Sequence, residues 1–448
     1  MYGFKIMNAD AIYAKARQIR DVIRYIDKFN NALVILYIDD EIINSPLFAG
    51  HIKDICLIHQ AGLKVLIVPG ARRHIDFALS HAQIEWQMQD GCRITDESAM
   101  PLIKTAAFEV SNHVMTQLAG ERMTAVIGNW VRARGKGILN GVDYGSAGEI
   151  DKVQISAIKT VLENGFVPIF PCIGWSQAGK PYNISSIQLA TQLAMHLKAE
   201  KLFYLTAEEE ITSEAFTIPP EIGLSPEGCI PAMNLTELDI FLAANTQNQH
   251  VQILSLLNLA KNACLNNVSR VHLINGSIDG SLPCEIFSDL GSGTMIYLSD
   301  YGTIRDMQRP DIPSVMTLIH PFVKKGILLP RTKKQLEATF SDYIVYELDG
   351  GLRACAALHF YDDMQAEIAA IAVDENFAHI GIGPKMIRFL IERAKTRNAQ
   401  CVFVLTTQTA DWFETQGFTH ESVDTLPAKR KELWSPKRGS KVLRLHFQ

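Results

Sequence analysis

Glu367 is the residue from which a chemistry can be built. It leads the run Glu367-Ile368-Ala369-Ala370-Ile371-Ala372-Val373, and Gly381-Ile382-Gly383 follows a short stretch later. Glycines let the main chain come close to a ligand. Pro384 suits the first position of a helix, where its missing N–H is no loss. The first N–H groups of a helix have no internal partner and carry partial positive charge, so a diphosphate suits this corner. A carboxylate one strand-length away suits a general base. A bare Gly-x-Gly also marks ordinary tight turns, so the surrounding elements must decide.

Those elements are a strand, a loop and a helix. Strict alternation over 366–373 places Ile368, Ala370 and Ala372 on one face and Glu367, Ile371 and Val373 on the other. Asp374 to Ile380 reads as a loop. From Pro384 a helix carries Ile387, Leu390, Ile391 and Ala394 on one apolar stripe. A second strand follows at Cys401–Thr407, and then Ala410–Phe418, A-D-W-F-E-T-Q-G-F.

With 448 residues the chain is long enough for two or three domains. Hydrophobic residues make up 47% and charged ones 20%, as in a globular protein, and a net charge of −5 gives no reason to expect nucleic acid or anionic membrane. The 8 cysteines (Cys56, Cys92, Cys172, Cys229, Cys264, Cys284, Cys355, Cys401) form no C-x-x-C pair. They read as thiols of a reducing compartment, with neither a zinc site nor a disulfide framework. No signal peptide or membrane-spanning run is evident, and a cytoplasmic location is expected.

Residues 8–29 form an amphipathic helix that either packs on its own domain or serves as an arm against another subunit. From Ala32 to Tyr297 strands and helices alternate, which implies an α/β fold with a largely parallel sheet covered on both faces. Arg132–Gly148 and Ala207–Gly228 are less regular and are expected to be surface excursions. The pattern changes near Ser299. Beyond it come helices at Asp311–Phe322 and Gln335–Phe340, then a hairpin of Tyr343–Leu348 and Arg353–Phe360 turned by Gly350-Gly351. The division is 1–24 arm, 25–298 first domain, 299–448 second domain.

The order strand, glycine loop, helix, strand, helix, Gly-Phe resembles the GNAT acetyltransferases, whose acetyl-CoA diphosphate sits on such a loop. The first domain resembles the acetylglutamate branch of the amino-acid kinase family. Its Pro69-Gly70-Ala71-Arg72 loop is kept, but Leu36 stands where that family has a lysine, and Ile38-Asp39 replace two glycines. Asn183-Ile184-Ser185-Ser186-Ile187 lacks the expected acid, and Thr206-Ala207 replaces a Thr-Asp pair. Phosphoryl transfer needs positive charge and preorganised donors around the phosphates, so this departure implies a kinase-like α/β/α sandwich without kinase chemistry. Val271–Ile296 resembles the arginine-binding segment of arginine-sensitive relatives, with Glu285 as the acid for a guanidinium and Gly291, Gly293 and Thr294 in the loop beside it.

The two-domain order is similar to the bacterial N-acetylglutamate synthase family along essentially the whole chain. Supporting strings include Gly141-Val142-Asp143-Tyr144, Cys355-Ala356-Ala357-Leu358 and Ser440-Lys441-Val442-Leu443. The resemblance implies acetyl transfer from acetyl-CoA to L-glutamate, the first step of arginine biosynthesis, regulated by L-arginine, in a homo-oligomer that can reach a hexamer. No metal is called for. Glu367 would be the base. Ile371, Ala372 and Val373 on the strand, with His379, Ile380, Gly381, Ile382 and Gly383 on the loop, would hold the cofactor, although Ala378 replaces a usual Arg or Gln. Phe413 occupies the position of a common tyrosine acid, so Thr406 or Thr407 would supply a hydroxyl. Two carboxylates of glutamate call for cations, and Arg331 and Arg438 with Ser440 match the family's pair. Two other readings stay open: a GNAT enzyme for another amine, and a non-catalytic arginine sensor.

Overall fold

The structure is a computed structural model that describes residues 9–447 except 90, 209, 221, 226, 288–290, 299–301, 349–350, 376 and 378–380. Contacts divide the chain into two compact units, 1–299 and 300–448.

In the first unit, helix α1 (Ala9–Phe29) precedes β1 (Leu33–Ile38), α2 (Phe48–Gln60), β2 (Lys64–Pro69) and α3 (Arg72–His81). Next come α4 (Met100–Gly120), β3 (Ala125–Ile127), α5 (Ile155–Glu163), β4 (Val167–Ile169), α6 (Ser186–Leu197) and β5 (Lys201–Thr206). The unit closes with β6 (Ala232–Asn234), α7 (Leu235–Ala244), α8 (Val251–Leu265), β7 (Arg270–Asn275), α9 (Ser281–Phe287) and β8 (Thr294–Tyr297). The eight strands form one sheet in the order β6-β8-β7-β5-β1-β2-β4-β3. All neighbours are parallel except β7 with β8. The central strands are buried nearly end to end because helices cover both faces, which explains their continuous apolar runs. Separate apolar cores lie on the two faces.

Two expectations for this unit are corrected. Arg132–Gly148 is not a surface excursion: Val131–Gly135 and Gly148–Val153 pair in a second, four-stranded sheet, and Ala133, Tyr144 and Ala147 are buried. In Ala207–Gly228, Ile211, Phe216 and Ile222 join the core. Sparse apolar residues among Gly, Glu and Pro hide such anchors, because neither a helical nor a strand period links them.

The second unit holds β9 (Thr303–Asp306), α10 (Ile312–Lys324), α11 (Lys333–Thr339), β10 (Tyr343–Leu348), β11 (Gly351–Phe360) and β12 (Gln365–Val373). It continues with α12 (Ile382–Thr396), β13 (Cys401–Thr406), α13 (Ala410–Thr415), β14 (Thr419–Glu421), α14 (Ala428–Lys431) and β15 (Lys441–His446). Its sheet runs β9-β10-β11-β12-β13-β15-β14. Helix α12 packs on one face and α10 on the other. β10 and β11 form the expected antiparallel pair, while Gly350 of its turn lies outside the described residues. No described helix is long and apolar enough to cross a membrane.

Candidate active site

The strand that carries Glu367 does not alternate strictly. In the pairing of β11 with β12 the register shifts between Cys355 and Ala357, and Ala370 takes a φ of 52°. This is a β-bulge: one extra residue on β12 turns the following side chains over. Ile368 therefore shares a face with Ile371 and Val373, in the core beneath α12. Ala370 and Ala372 pack on the opposite side, with α10. The face assignment from strict alternation is thus wrong beyond Ile368, and Glu367 lies on the side of Ala370 and Ala372. Nothing in E-I-A-A-I-A-V marks the extra residue.

Beyond the bulge the sheet opens. β12 and β13 pair only over Gln365–Glu367 and Cys401–Phe403, although β12 continues to Val373 and β13 to Thr406. Each parted segment keeps its outer neighbour, β11 or β15, but the main-chain groups that face the gap have no partner strand, which cannot persist unless water or a ligand meets them. Glu367 sits at the root of this gap. It is 5% exposed. The Tyr361 hydroxyl donates to its Oε2 at 2.7 Å and Arg430 Nε donates to the same oxygen at 2.8 Å. Burial, then the Glu367 charge, hold the Tyr361 hydroxyl protonated well above its ordinary range.

Thr406 ends β13 at the other edge of the gap. Its Oγ1 lies 2.7 Å from Thr409 Oγ1 and accepts the Thr409 N–H at 3.0 Å. Thr407 Oγ1 is enclosed and has no hydrogen-bond partner. Phe413 is core, packed on Phe418, and offers no acid.

The helix after the loop starts at Ile382, two residues before Pro384, which still falls in the first turn, where its missing N–H is no loss. Gly381 caps it with a φ of 70°, a conformation that favours glycine. Among the described residues no side chain caps this turn. A Cβ on Gly383 would come to 3.1 Å from the Trp412 ring, so the indole closes one side of the helix start. Ile371 and Val373 lie on the α12 side of β12, Ala372 on the other. His379 and Ile380 fall outside the described residues.

The cationic candidates flank the α10 face. Arg438 Nη2 donates to the carbonyl of Ile327 at 2.9 Å, in the segment between α10 and α11 that also carries Arg331. The Arg331 guanidinium stands 5.6 Å from the centre of the Tyr343 ring. Ser440 is buried, and its carbonyl accepts from Trp434 Nε1 at 3.4 Å. Sequence reasoning missed Tyr361 and Arg430. In Lys429-Arg430-Lys431 the flanking lysines pair outward with Asp362 and Asp424, while Arg430 turns inward. The one signal was an arginine set between two lysines on a four-residue helix.

In the first unit, Glu285, Gly291, Gly293 and Thr294 come together. Glu285 Oε1 lies 2.6 Å from His272 Nδ1, and Oε2 accepts the Gly293 N–H at 2.8 Å. A Cβ on Gly291 would collide with this carboxylate. Burial alone would raise Glu285, but the His272 bond and the Gly293 and Ser292 N–H groups outweigh it and hold it below the usual carboxylate range. Burial lowers His272 to about 4, so its ring is neutral and donates from Nδ1. Elsewhere, a cavity of about 640 Å³ is lined by Tyr37, Asp39, Asp40, Arg72, Arg73 and Ser186 among others. Leu36 is buried in the core. Asp39 accepts from Tyr37 and from the Glu41 N–H, and Asp40 accepts the Arg73 N–H at the start of α3.

Residues 42–221 match the model of the Amino acid kinase family, and 313–418 that of the Acetyltransferase (GNAT) family. An amino-acid acetyltransferase of Shewanella oneidensis is 31% identical over 431 residues, covering 94% of this chain and 95% of that one. One from Pasteurella multocida is 32% identical over 427 residues, with 94% of each chain covered. The chain belongs to the amino-acid acetyltransferase family. Among solved structures, N-acetylglutamate synthase from Neisseria gonorrhoeae complexed with coenzyme A and L-arginine superposes with a TM-score of 0.78 at 28% identity, covering 97% of this chain and 99% of that one. The same enzyme complexed with coenzyme A and N-acetyl-glutamate gives 0.60 at 29% identity, with the same coverage. Membership in the amino-acid acetyltransferase family makes acetyl-CoA the cosubstrate of the second unit.

Proposed function

We propose that this chain transfers the acetyl group of acetyl-CoA to the amine of L-glutamate, giving CoA and N-acetyl-L-glutamate. The observation that carries the reading is Glu367 at the root of the β12–β13 gap, with one oxygen anchored and Oε1 in neither anchoring bond. Glutamate's amine is mostly protonated near neutral pH and must lose a proton before it attacks. Glu367 takes that proton, directly or through a water. The nitrogen then bonds to the thioester carbon, the C–S bond breaks, and CoA leaves as a thiolate. N–H groups of Ala369–Val373 that face the gap polarise the thioester carbonyl. Thr406 is the better placed hydroxyl to protonate the thiolate, since main-chain N–H groups occupy its lone pairs; Thr407 is the second candidate. The start of α12, which no described side chain caps, receives the diphosphate through backbone donors. Arg331, Arg438 and Ser440 receive the glutamate carboxylates.

The first unit serves as a regulatory domain for L-arginine, with Glu285 exchanging His272 for a guanidinium; this division of labour, the oligomeric state and a cytoplasmic location are part of the same reading. ATP is not its ligand, because Asp39 and Asp40 put negative charge where phosphates would need cations. Steady-state assays with acetyl-CoA and a panel of amino acids test the transfer. Turnover with glutamate is expected, and Glu367→Gln is expected to lower kcat by about 10²- to 10⁴-fold. Turnover only with another amine would transfer the reading to that acceptor, and no turnover at all would leave an arginine sensor. Arginine should alter the kinetics of the parent, and the response should vanish in Glu285→Ala.

A further inference from the structure

We infer that Arg430, seconded by Tyr361, is the positioning residue that anchors Glu367 and keeps its Oε1 presented as the base. The inference rests on the role proposed above for Glu367. Both donors converge on Oε2, at 2.8 Å and 2.7 Å. A carboxylate has two oxygens with about four lone-pair sites. With one oxygen clamped from two directions, the plane of the group is fixed and the other oxygen is left to meet a proton.

The ion pair is built for this use. The Glu367 and Arg430 side chains are 7% and 18% exposed, so solvent screens the pair little. Arg430 comes from α14, held down by Leu426 in a small core with Phe403 and Val442. Arg444 donates to the carbonyl and the hydroxyl of Thr425, at 2.7 and 2.9 Å, and locks the segment that delivers α14. Tyr361 packs its ring on Phe403 at 5.8 Å, and Phe403 is the register partner of Glu367 on β13. Both donors are therefore seated on the same small core around Phe403, Tyr361 by its ring and Arg430 through the segment that carries Leu426.

The ionisable groups around Glu367 are few. His359 is its register partner on β11, and Asp342 holds its Nδ1 at 2.9 Å. Asp363 lies beyond Tyr361, close enough to raise that hydroxyl. Arg444 and Cys401 bond each other on the far side of Phe403. Arg430 is the one cation paired with Glu367 among the described residues. Losing a positive charge from a buried carboxylate favours its protonated form, which cannot take a proton from an amine.

The test is steady-state kinetics of the full chain with acetyl-CoA and glutamate from pH 6 to 9.5. Arg430→Met should lower kcat at pH 7 about 10- to 100-fold, leave both KM values within about threefold, and move the acid limb of the kcat profile up by about one pH unit. Arg430→Lys keeps the charge and should restore the limb and much of the rate. Tyr361→Phe should lower kcat about threefold to tenfold. In a Glu367→Gln background, Arg430→Met should change kcat less than about twofold, because the partner through which it acts is gone. An acid limb that stays in place in Arg430→Met overturns the inference, as does a raised KM for glutamate with kcat unchanged, which would put Arg430 on the substrate. Should Arg430→Met fail to fold, Tyr361→Phe with unchanged kcat and pH profile overturns it. Full activity in Glu367→Gln alone instead removes the base assignment beneath it.

Discussion

Two strand-to-helix corners in this chain are built alike and end differently. In the first unit, β2 runs through Gly70 into α3. In the second, β12 runs through a loop to Gly381 and α12. Both present first-turn N–H groups that want an anion. At α3 the chain supplies its own: Asp40, 2% exposed, accepts the Arg73 N–H, and Gly70 is a glycine because a Cβ there would lie 2.8 Å from Asp40 N. At α12 no described side chain does so. A helix start is a binding device only while the protein leaves it empty, and here one is plugged while no described side chain caps the other.

Plugging the open corner breaks the contrast most severely. Gly381→Asp would place at α12 the kind of carboxylate that Asp40 places at α3, and aspartate tolerates the left-handed conformation of Gly381. It would occupy the N–H groups and repel a diphosphate. The apparent affinity for acetyl-CoA, read by calorimetry or as KM, should fall about 100-fold. Gly381→Asn, neutral and of the same shape, should lose about tenfold or less. Equal losses in the two would show that shape rather than charge governs the site.

The contrast also depends on the bulge that opens the sheet beside α12. Ala370 holds a φ of 52°, and a β-branched side chain fits that region poorly. Ala370→Val should destabilise the second unit by about 1–2 kcal/mol, measured by urea unfolding, and kcat should fall with it as β12 straightens. Unchanged stability would mean that the strand tolerates the turnover without strain.

What could be read from residues alone follows the same division. The corner at Gly381 was legible because glycines, proline and an apolar stripe each have one local cause. The long buried strands β1, β2 and β5 were legible because their apolar runs between helices have few other uses. The bulge was not, since Ala370 and Ile371 look like any two strand residues and only the register shift between Cys355 and Ala357 on the neighbouring strand reveals the extra one. Arg430 hid among lysines for a related reason. Burial of a charged residue depends on a partner 63 positions away, and no window of sequence contains both. The roles of Arg331, Arg438, Ser440 and Glu285 came only through likeness to a family, since scattered single residues carry no period.

The plugged corner carries the smallest effect and a definite sign. Burial, then the neighbouring Asp39 carboxylate, raise Asp40 from 3.8 to about 6, against the opposing Arg73 N–H bond. The folded state therefore binds this proton more tightly than the unfolded chain. The stabilisation is complete below about pH 4 and is lost as the pH rises through about 6. Asp40→Asn keeps an oxygen for the Arg73 N–H and removes the charge, so it should flatten this part of the profile. Above pH 6 it should stabilise the first unit by about 1 kcal/mol relative to the parent, with little difference near pH 4. Urea midpoints of the two proteins from pH 4 to 7.5 measure this directly. A variant that is less stable than the parent throughout would mean that the ionised carboxylate is worth more to α3 than its burial takes away, and the corner would then be a genuine anion site whose anion is covalently attached.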